Sequence, residues 1–183
     1  MMNRREAVKA TTTLLGGVMI GSSGILTACS AGRRNAPSGV LSHDDEGLAE
    51  EIADTLLPST ASSPGAKAAG VGATMNLLLT DCYKPDAQER VINGLKEFRV
   101  TCESRCGGGF ASLPRQQREQ LLREIDTEGQ KNADTHYFPL LRELAHGAYF
   151  SSQVGATQAL RYVPVPGRFD GCVALTPGQP AWA

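Results

Sequence analysis

The stretch VGATMNLLLTDC, residues 71–82, decides how the chain folds. Its apolar residues Val71, Met75, Leu78 and Cys82 are spaced four, three and four. That period belongs to an α-helix with one buried face, not to a strand. The pattern repeats on both sides. Upstream, Ser42 with Asp45 three residues later reads as a capping start for Leu48, Ile52 and Leu56, and Pro58 ends that run. Ser62-Ser63-Pro64-Gly65 reads as a turn. Downstream, Pro85 suits the first position of a helix carrying Val91, Leu95, Phe98 and Cys102, which Gly107-Gly108-Gly109 stops. Ser112 and Pro114 open a fourth helix with Leu121, Leu122 and Ile125. Tyr137, Leu141, Leu144 and Ala148 mark a fifth, with Pro139 tolerable only in its first turn. The expectation is an all-α domain of about five helices over residues 42–150. From Ser151 the periodicity stops, and proline and glycine punctuate residues 151–183. A tail this long is too long for an idle connection in a compact domain.

The amino terminus reads as an address rather than as structure. Met1 to Lys9 is short and basic, and Leu14 to Leu26 is apolar but rich in Gly and Ser. A spanning helix needs about 20 apolar residues; this run is shorter and its Gly21-Ser22-Ser23-Gly24 patch is a poor helix interior. Arg4, Arg5 and Lys9 resemble a twin-arginine export signal, with Ala7 where a bulky apolar residue is usual. Leu26-Thr27-Ala28-Cys29 resembles a bacterial lipobox, which implies cleavage before Cys29 and acylation of that cysteine. Residues 1–28 are then the signal and residues 29–41 a flexible tether. The twelve residues from Ser30 to Leu41 have an r.m.s. reach of about 20 Å. The expected location is the periplasm, as a membrane-anchored lipoprotein.

Without residues 1–28 the 183-residue chain keeps 155, one domain by size. The signal has three basic residues and one acid, so its removal takes the net charge from -1 to about -3. No basic stripe is present, which argues against nucleic acid. Cys82, Cys102, Cys106 and Cys172 lie in the remaining body, and export makes disulfides the first reading of an even number; three connectivities are possible. No catalytic constellation emerges. Gly107-Gly108-Gly109 lacks phosphate-loop spacing. His43, His136 and His146 share no metal spacing, and packing or hydrogen bonding is expected of each. Glu50, Glu51 and Asp54, and Arg118-Glu119 with Arg123-Glu124, read as solvated helix faces with pairs four residues apart. Ser151-Ser152 has no base at a useful helical spacing. A protein exported folded, without a cofactor site of its own, fits a carrier whose cofactor sits in a partner.

Gly147 to Ser152, Ala159-Leu160-Arg161-Tyr162 and Val165-Pro166-Gly167-Arg168-Phe169-Asp170-Gly171-Cys172 resemble the gluconate 2-dehydrogenase subunit 3 family. Ile52-Ala53-Asp54 with Pro58, Pro64-Gly65-Ala66, Ala69-Gly70-Val71 and Asp81-Cys82-Tyr83 are similar to its amino-terminal part. The turn departs from the pattern at Ala61-Ser62-Ser63, and Cys102 and Cys106 stand outside it. The resemblance implies a small non-catalytic subunit. Its partner would be a large FAD-dependent dehydrogenase of the glucose–methanol–choline type, oxidising a sugar, sugar acid or glycoside. A c-type cytochrome often completes such complexes, so haem c or an iron–sulfur cluster would also belong to partner subunits. The small subunit would assist folding and twin-arginine export of the flavoprotein. Interface candidates are Tyr149, Phe150, Arg161, Tyr162, Pro166, Gly167, Arg168, Phe169, Asp170 and Trp182, and Val163 to Trp182 is expected to pack on the partner as well as on its own helices. Because Cys82 and Cys172 both sit in family-like motifs, the resemblance favours a Cys82–Cys172 disulfide, with Cys102–Cys106 second and strained if helical. The alternatives are a free-standing redox or metal-binding lipoprotein using its four cysteines, and a structural lipoprotein with no enzyme partner.

Overall fold

The computed structural model describes residues 39–165, 167, 171–174 and 176–182. Arg4, Arg5, Lys9, Cys29, Pro166, Arg168, Phe169 and Asp170 lie outside the described residues. Five α-helices form the body: α1 His43–Leu56, α2 Val71–Cys82, α3 Pro85–Cys106, α4 Arg115–Lys131 and α5 Tyr137–Phe150. Short 3₁₀ turns at Lys67–Ala69 and Phe110–Ser112 lie between them, and one π-helical turn, Gly155–Ala159, follows α5. None of the described helices is long and apolar enough to cross a membrane.

The helices begin and end where local chemistry dictates. Ser42 caps α1: its hydroxyl oxygen accepts from the Asp45 amide at 3.2 Å and donates to the Asp45 carboxylate at 2.7 Å. Acidic Asp44, Asp45 and Glu46 fill the first turn, where they complement the helix dipole. Pro85 occupies the first turn of α3. Gly107, at φ 71°, ends that helix in the left-handed conformation, and its amide donates to Glu103 O. Pro114, not Ser112, is the residue before α4; the Ser112 hydroxyl instead donates back to Gly109 O at 2.7 Å. His136 caps α5, its Nδ1 accepting from the Phe138 amide at 3.2 Å.

Helix α5 is the hub. Tyr137, Phe138, Leu140, Leu141, Leu144, Ala145, Ala148 and Tyr149 are buried on it, and it packs against each of the other four helices. Its neighbours present Ile52 from α1, Met75 and Leu79 from α2, Leu95 and Phe98 from α3, and Leu122 and Ile125 from α4. A central helix must be apolar on more than one stripe, and α5 is. Gly94 lets α3 approach it: a Cβ there would lie 2.1 Å from Cγ of the Tyr137 ring.

Three expectations change. The buried face of α2 is Val71, Gly72, Met75, Asn76 and Leu79, so the stripe ends one turn early and Cys82 is exposed. Leu41, expected at the end of the free tether, is 2% exposed. The buried Asn76 side chain holds it, accepting from its amide at 3.0 Å and donating to its carbonyl at 3.3 Å, while the Val40 amide donates to Thr80 Oγ1 at 3.0 Å. Gly39 fits against this grip because a Cβ would sit 2.1 Å from Asn76 Oδ1. The described domain therefore includes the segment from Gly39 to Leu41 ahead of α1. Finally, Glu51 and Arg118 do not belong to separate solvated faces. Arg118 bridges α4 to Glu51 of α1 at 3.3 Å and lies over the Phe110 ring, and Lys67 also pairs with Glu51.

Candidate functional site

Two of the motifs that carry the sequence resemblance, Pro64-Gly65-Ala66 and Gly147 to Ser152, meet at the carboxyl end of α5. Asp54, near the end of α1, accepts the Lys67 amide at 3.0 Å. The Ser59 hydroxyl accepts the Gly65 amide at 2.8 Å, and the Ala66 amide donates to Leu57 O at 2.9 Å. Thr60 Oγ1 gathers the Ser62 and Ser63 amides, so the serine-rich turn is internally bonded. Gly65 is required by close approach: a Cβ would lie 2.6 Å from Ser59 N and 2.9 Å from Asp54 Oδ1. Above this turn the Tyr149 hydroxyl donates to Pro64 O at 2.6 Å. Tyr149, expected at a partner interface, is 3% exposed and instead fastens α5 to the turn before α2.

Past the turn the chain is steered rather than loose. The Ser151 hydroxyl donates to Gly147 O, and the Ser152 hydroxyl donates to Tyr149 O, each at 2.6 Å. Ser152 Oγ also accepts the Gly155 amide at 3.0 Å. These serine hydroxyls are engaged as helix-end fittings. Gly155 opens the π-helical turn, where the Leu160 amide reaches back to Gly155 O at 2.9 Å. A Cβ on Gly155 would meet Tyr149 O at 2.0 Å, so glycine sets how the chain leaves α5. Arg161 and Trp182 then pair as an isolated parallel bridge, with the Arg161 amide donating to Ala181 O at 2.8 Å. The Arg161 guanidinium carbon lies 4.1 Å from the centre of the Trp182 ring. Of the interface candidates within the described residues, Phe150, Tyr162 and Trp182 are exposed apolar side chains. Gly167 is exposed at φ 73°. Arg161 is occupied within its own chain.

A cleft of about 730 Å³ lies between the start of α1, the end of α3 and the Phe110 turn. Leu48, Phe98 and Phe110 line it together with His43, Asp44, Glu51, Arg99, Cys102 and Glu103. Several of its charges are engaged in holding helices together. Arg99 pairs with Asp45 across α3 and α1, and Glu51 is paired as described above. Burial alone would raise the Asp45 carboxyl, but the Ser42 hydroxyl and Arg99 outweigh it and hold the group below its ordinary range. Burial, with a smaller effect of Cys106, pushes the Cys102 thiol up to about 11, so it stays protonated and unreactive near neutral pH.

All four described cysteines are free thiols, so neither the Cys82–Cys172 nor the Cys102–Cys106 pairing is present. Cys102 and Cys106 sit one turn apart on α3. Helical neighbours at that spacing hold their Cβ atoms about 5–6 Å apart, beyond the roughly 3.5–4.5 Å of a disulfide. Among the described residues, no three His, Cys, Asp or Glu side chains converge as a metal site. His136 serves as a cap, and His43 lines the cleft. His146 is exposed on α5; desolvation on its inner side, then the Arg142 charge, lowers its pKa.

The described chain is an all-α domain whose end-of-helix turn and bridged tail shape a surface. It belongs to the gluconate 2-dehydrogenase subunit 3 family, whose profile matches residues 43–167. It is thus of the kind that serves as a subunit of a dehydrogenase complex. No curated protein and no solved structure matches the chain.

Proposed function

We propose that this chain is the non-catalytic small subunit of a periplasmic FAD-dependent dehydrogenase of the glucose–methanol–choline type. The substrate class is a sugar, sugar acid or glycoside. The chain's tasks are export, maturation and membrane tethering of the flavoprotein. The family match over residues 43–167 carries this reading, because it makes the chain one subunit among others. The amino-terminal signal supports it: Arg4, Arg5 and Lys9 supply a twin-arginine address, and Leu26 to Cys29 a lipobox. Each buried methylene contributes about 0.8 kcal/mol, so several acyl chains on Cys29 would hold a subunit where one would not. FAD, and any haem c or iron–sulfur cluster, belongs to the partner subunits. Producing the flavoprotein with and without this chain tests the reading. Flavin-loaded enzyme should reach the periplasm only with it; equal export and loading in both cases would refute the proposal.

A further inference from the structure

The cleft of about 730 Å³ at the start of α1 has the size of a small-molecule site, for which about 300–1,000 Å³ is usual. Its floor is Phe98, Cys102 and Phe110, all buried, so it is a concavity in a closed core and not an uncovered apolar face. On α1 the lining residues Asp44, Gly47, Leu48 and Glu51 follow helical spacing and share one face. Gly47 stands in the middle of that face. A glycine inside a helix weakens it. Neither conformation nor packing asks for one here: its φ is not positive, and a Cβ would meet no atom within 4 Å. Gly109, which lines the cleft before the Phe110 turn, is alike, with an ordinary φ of -70° and no atom within 4 Å of a Cβ. What the two missing side chains leave is the open volume of the cleft.

The charges around it are unequal. Arg99 is committed to Asp45, and Glu51 to Lys67 and Arg118. Asp44 and Glu103 also line the cleft, and neither has an ion-pair partner among the described residues. Asp44 lies in the first turn of α1, where the helix dipole favours a carboxylate. Glu103 lies in the last turn of α3, where the dipole disfavours one. Arg99, one turn earlier on α3, is held by Asp45 and leaves Glu103 uncompensated.

We infer that this cleft binds a small organic cation. Its apolar body lies on the Phe98–Phe110 floor, where the two rings meet edge to face with centroids 5.1 Å apart. Its ammonium or amidinium group lies at Glu103 and Asp44. The site is complete within this chain and needs no partner subunit.

Phenethylammonium is a suitable probe, with phenethyl alcohol as its uncharged counterpart and ligand-observed NMR on the full chain as the readout. The ammonium should bind roughly fivefold or more tightly than the alcohol, and the preference should shrink as salt rises. Glu103→Gln should cut the preference about two- to fivefold, as removal of one partly exposed ion pair does, and leave alcohol binding unchanged. Asp44→Asn should act in the same way. Glu97→Gln, on α3 but outside the cleft, should change nothing. Gly47→Leu should abolish binding of both probes without lowering Tm, because the side chain enters open space. If that variant fails to fold, Gly47→Ala should still weaken both probes. Equal affinity for the two probes, or a preference that survives Glu103→Gln and Asp44→Asn, would overturn the cation assignment. Absence of binding at millimolar probe, or full binding to a folded Gly47→Leu protein, would overturn the cleft as the site. Binding that appears only when Arg33 and Arg34 are both replaced by serine would give the cleft to the chain's own tether. Self-association in sedimentation that Gly47→Leu abolishes would give it to a second copy. Either result would overturn a small cation as the occupant.

Discussion

Gly94 and Gly47 are both helical glycines, and replacing each with alanine should move stability in opposite directions. At Gly47, exposed on α1, a Cβ would find no atom within 4 Å. The substitution then gains only helix propensity, about 0.5–1 kcal/mol. At Gly94 the same propensity gain applies, but the new Cβ would lie 2.1 Å from Cγ and 2.3 Å from Cβ of Tyr137. Relaxed carbon contacts lie at about 3.5–4.0 Å, so more than an ångström of separation is needed. Tyr137 is 5% exposed and cannot swing into solvent. Helices α3 and α5 must part instead, and overpacking of this kind costs typically 1–3 kcal/mol. With the overlap near the upper end of that range, Gly94→Ala should be about 2 kcal/mol less stable than wild type after the propensity gain. The gap between the variants is then about 3 kcal/mol, or roughly 6–12 °C in Tm for a domain of this size. Urea denaturation and thermal scans at pH 7 measure it, with an unchanged m-value as the check that both unfold from comparable states. A Gly94→Ala protein as stable as Gly47→Ala would refute the close packing of α5 on α3.

Asn76→Ala should release the Gly39–Leu41 segment, leaving Leu41 without its side-chain partners at a cost of about 1–3 kcal/mol; hydrogen exchange at the Leu41 amide should accelerate while α4 amides are unaffected at short times. His146 has a folded pKa below the ordinary 6.5, so the unfolded chain takes up the proton first. Stability should therefore decline as pH falls below about 6.5 and level off once the folded form also titrates, and His146→Gln should flatten that decline in denaturation midpoints measured across the window. Iodoacetamide at pH 8 should label exposed Cys82 and Cys172 in the native protein and reach buried Cys102 only after unfolding, as read by peptide mass mapping; labelling of Cys102 at the rate of Cys82 would contradict its burial.

The helices were legible because each carries its own period. Val91, Leu95, Phe98 and Cys102 name the buried face of α3 without reference to any other element. The α2 stripe misled at its end: Leu78 still packs against the core, but Cys82, which continues the apolar rhythm, is exposed. Chemistry between elements was not legible. Nothing local shows that Gly94 makes room for a tyrosine, or that Asn76 grips a segment 35 residues earlier. Tyr149 illustrates the limit most directly. Its motif pointed to a family but not to a role, since an aromatic residue near the end of a helix can face a partner or its own domain. The 2.6 Å bond to Pro64 decides for the domain. The π-helical turn was hidden because Gly155 within a serine- and glycine-containing stretch reads as a breaker.

That same bond has a consequence for the timing of synthesis. It joins positions 85 residues apart, and the helix bearing Tyr149 is the one against which all the others pack. A ribosome that has released α1 to α4 has released four amphipathic helices without the surface that gathers them. The domain can close only once α5 has emerged, so folding waits for nearly the whole chain and then proceeds as one event. A truncation before Tyr137, which removes the hub helix whole, should give not a smaller domain but an open chain.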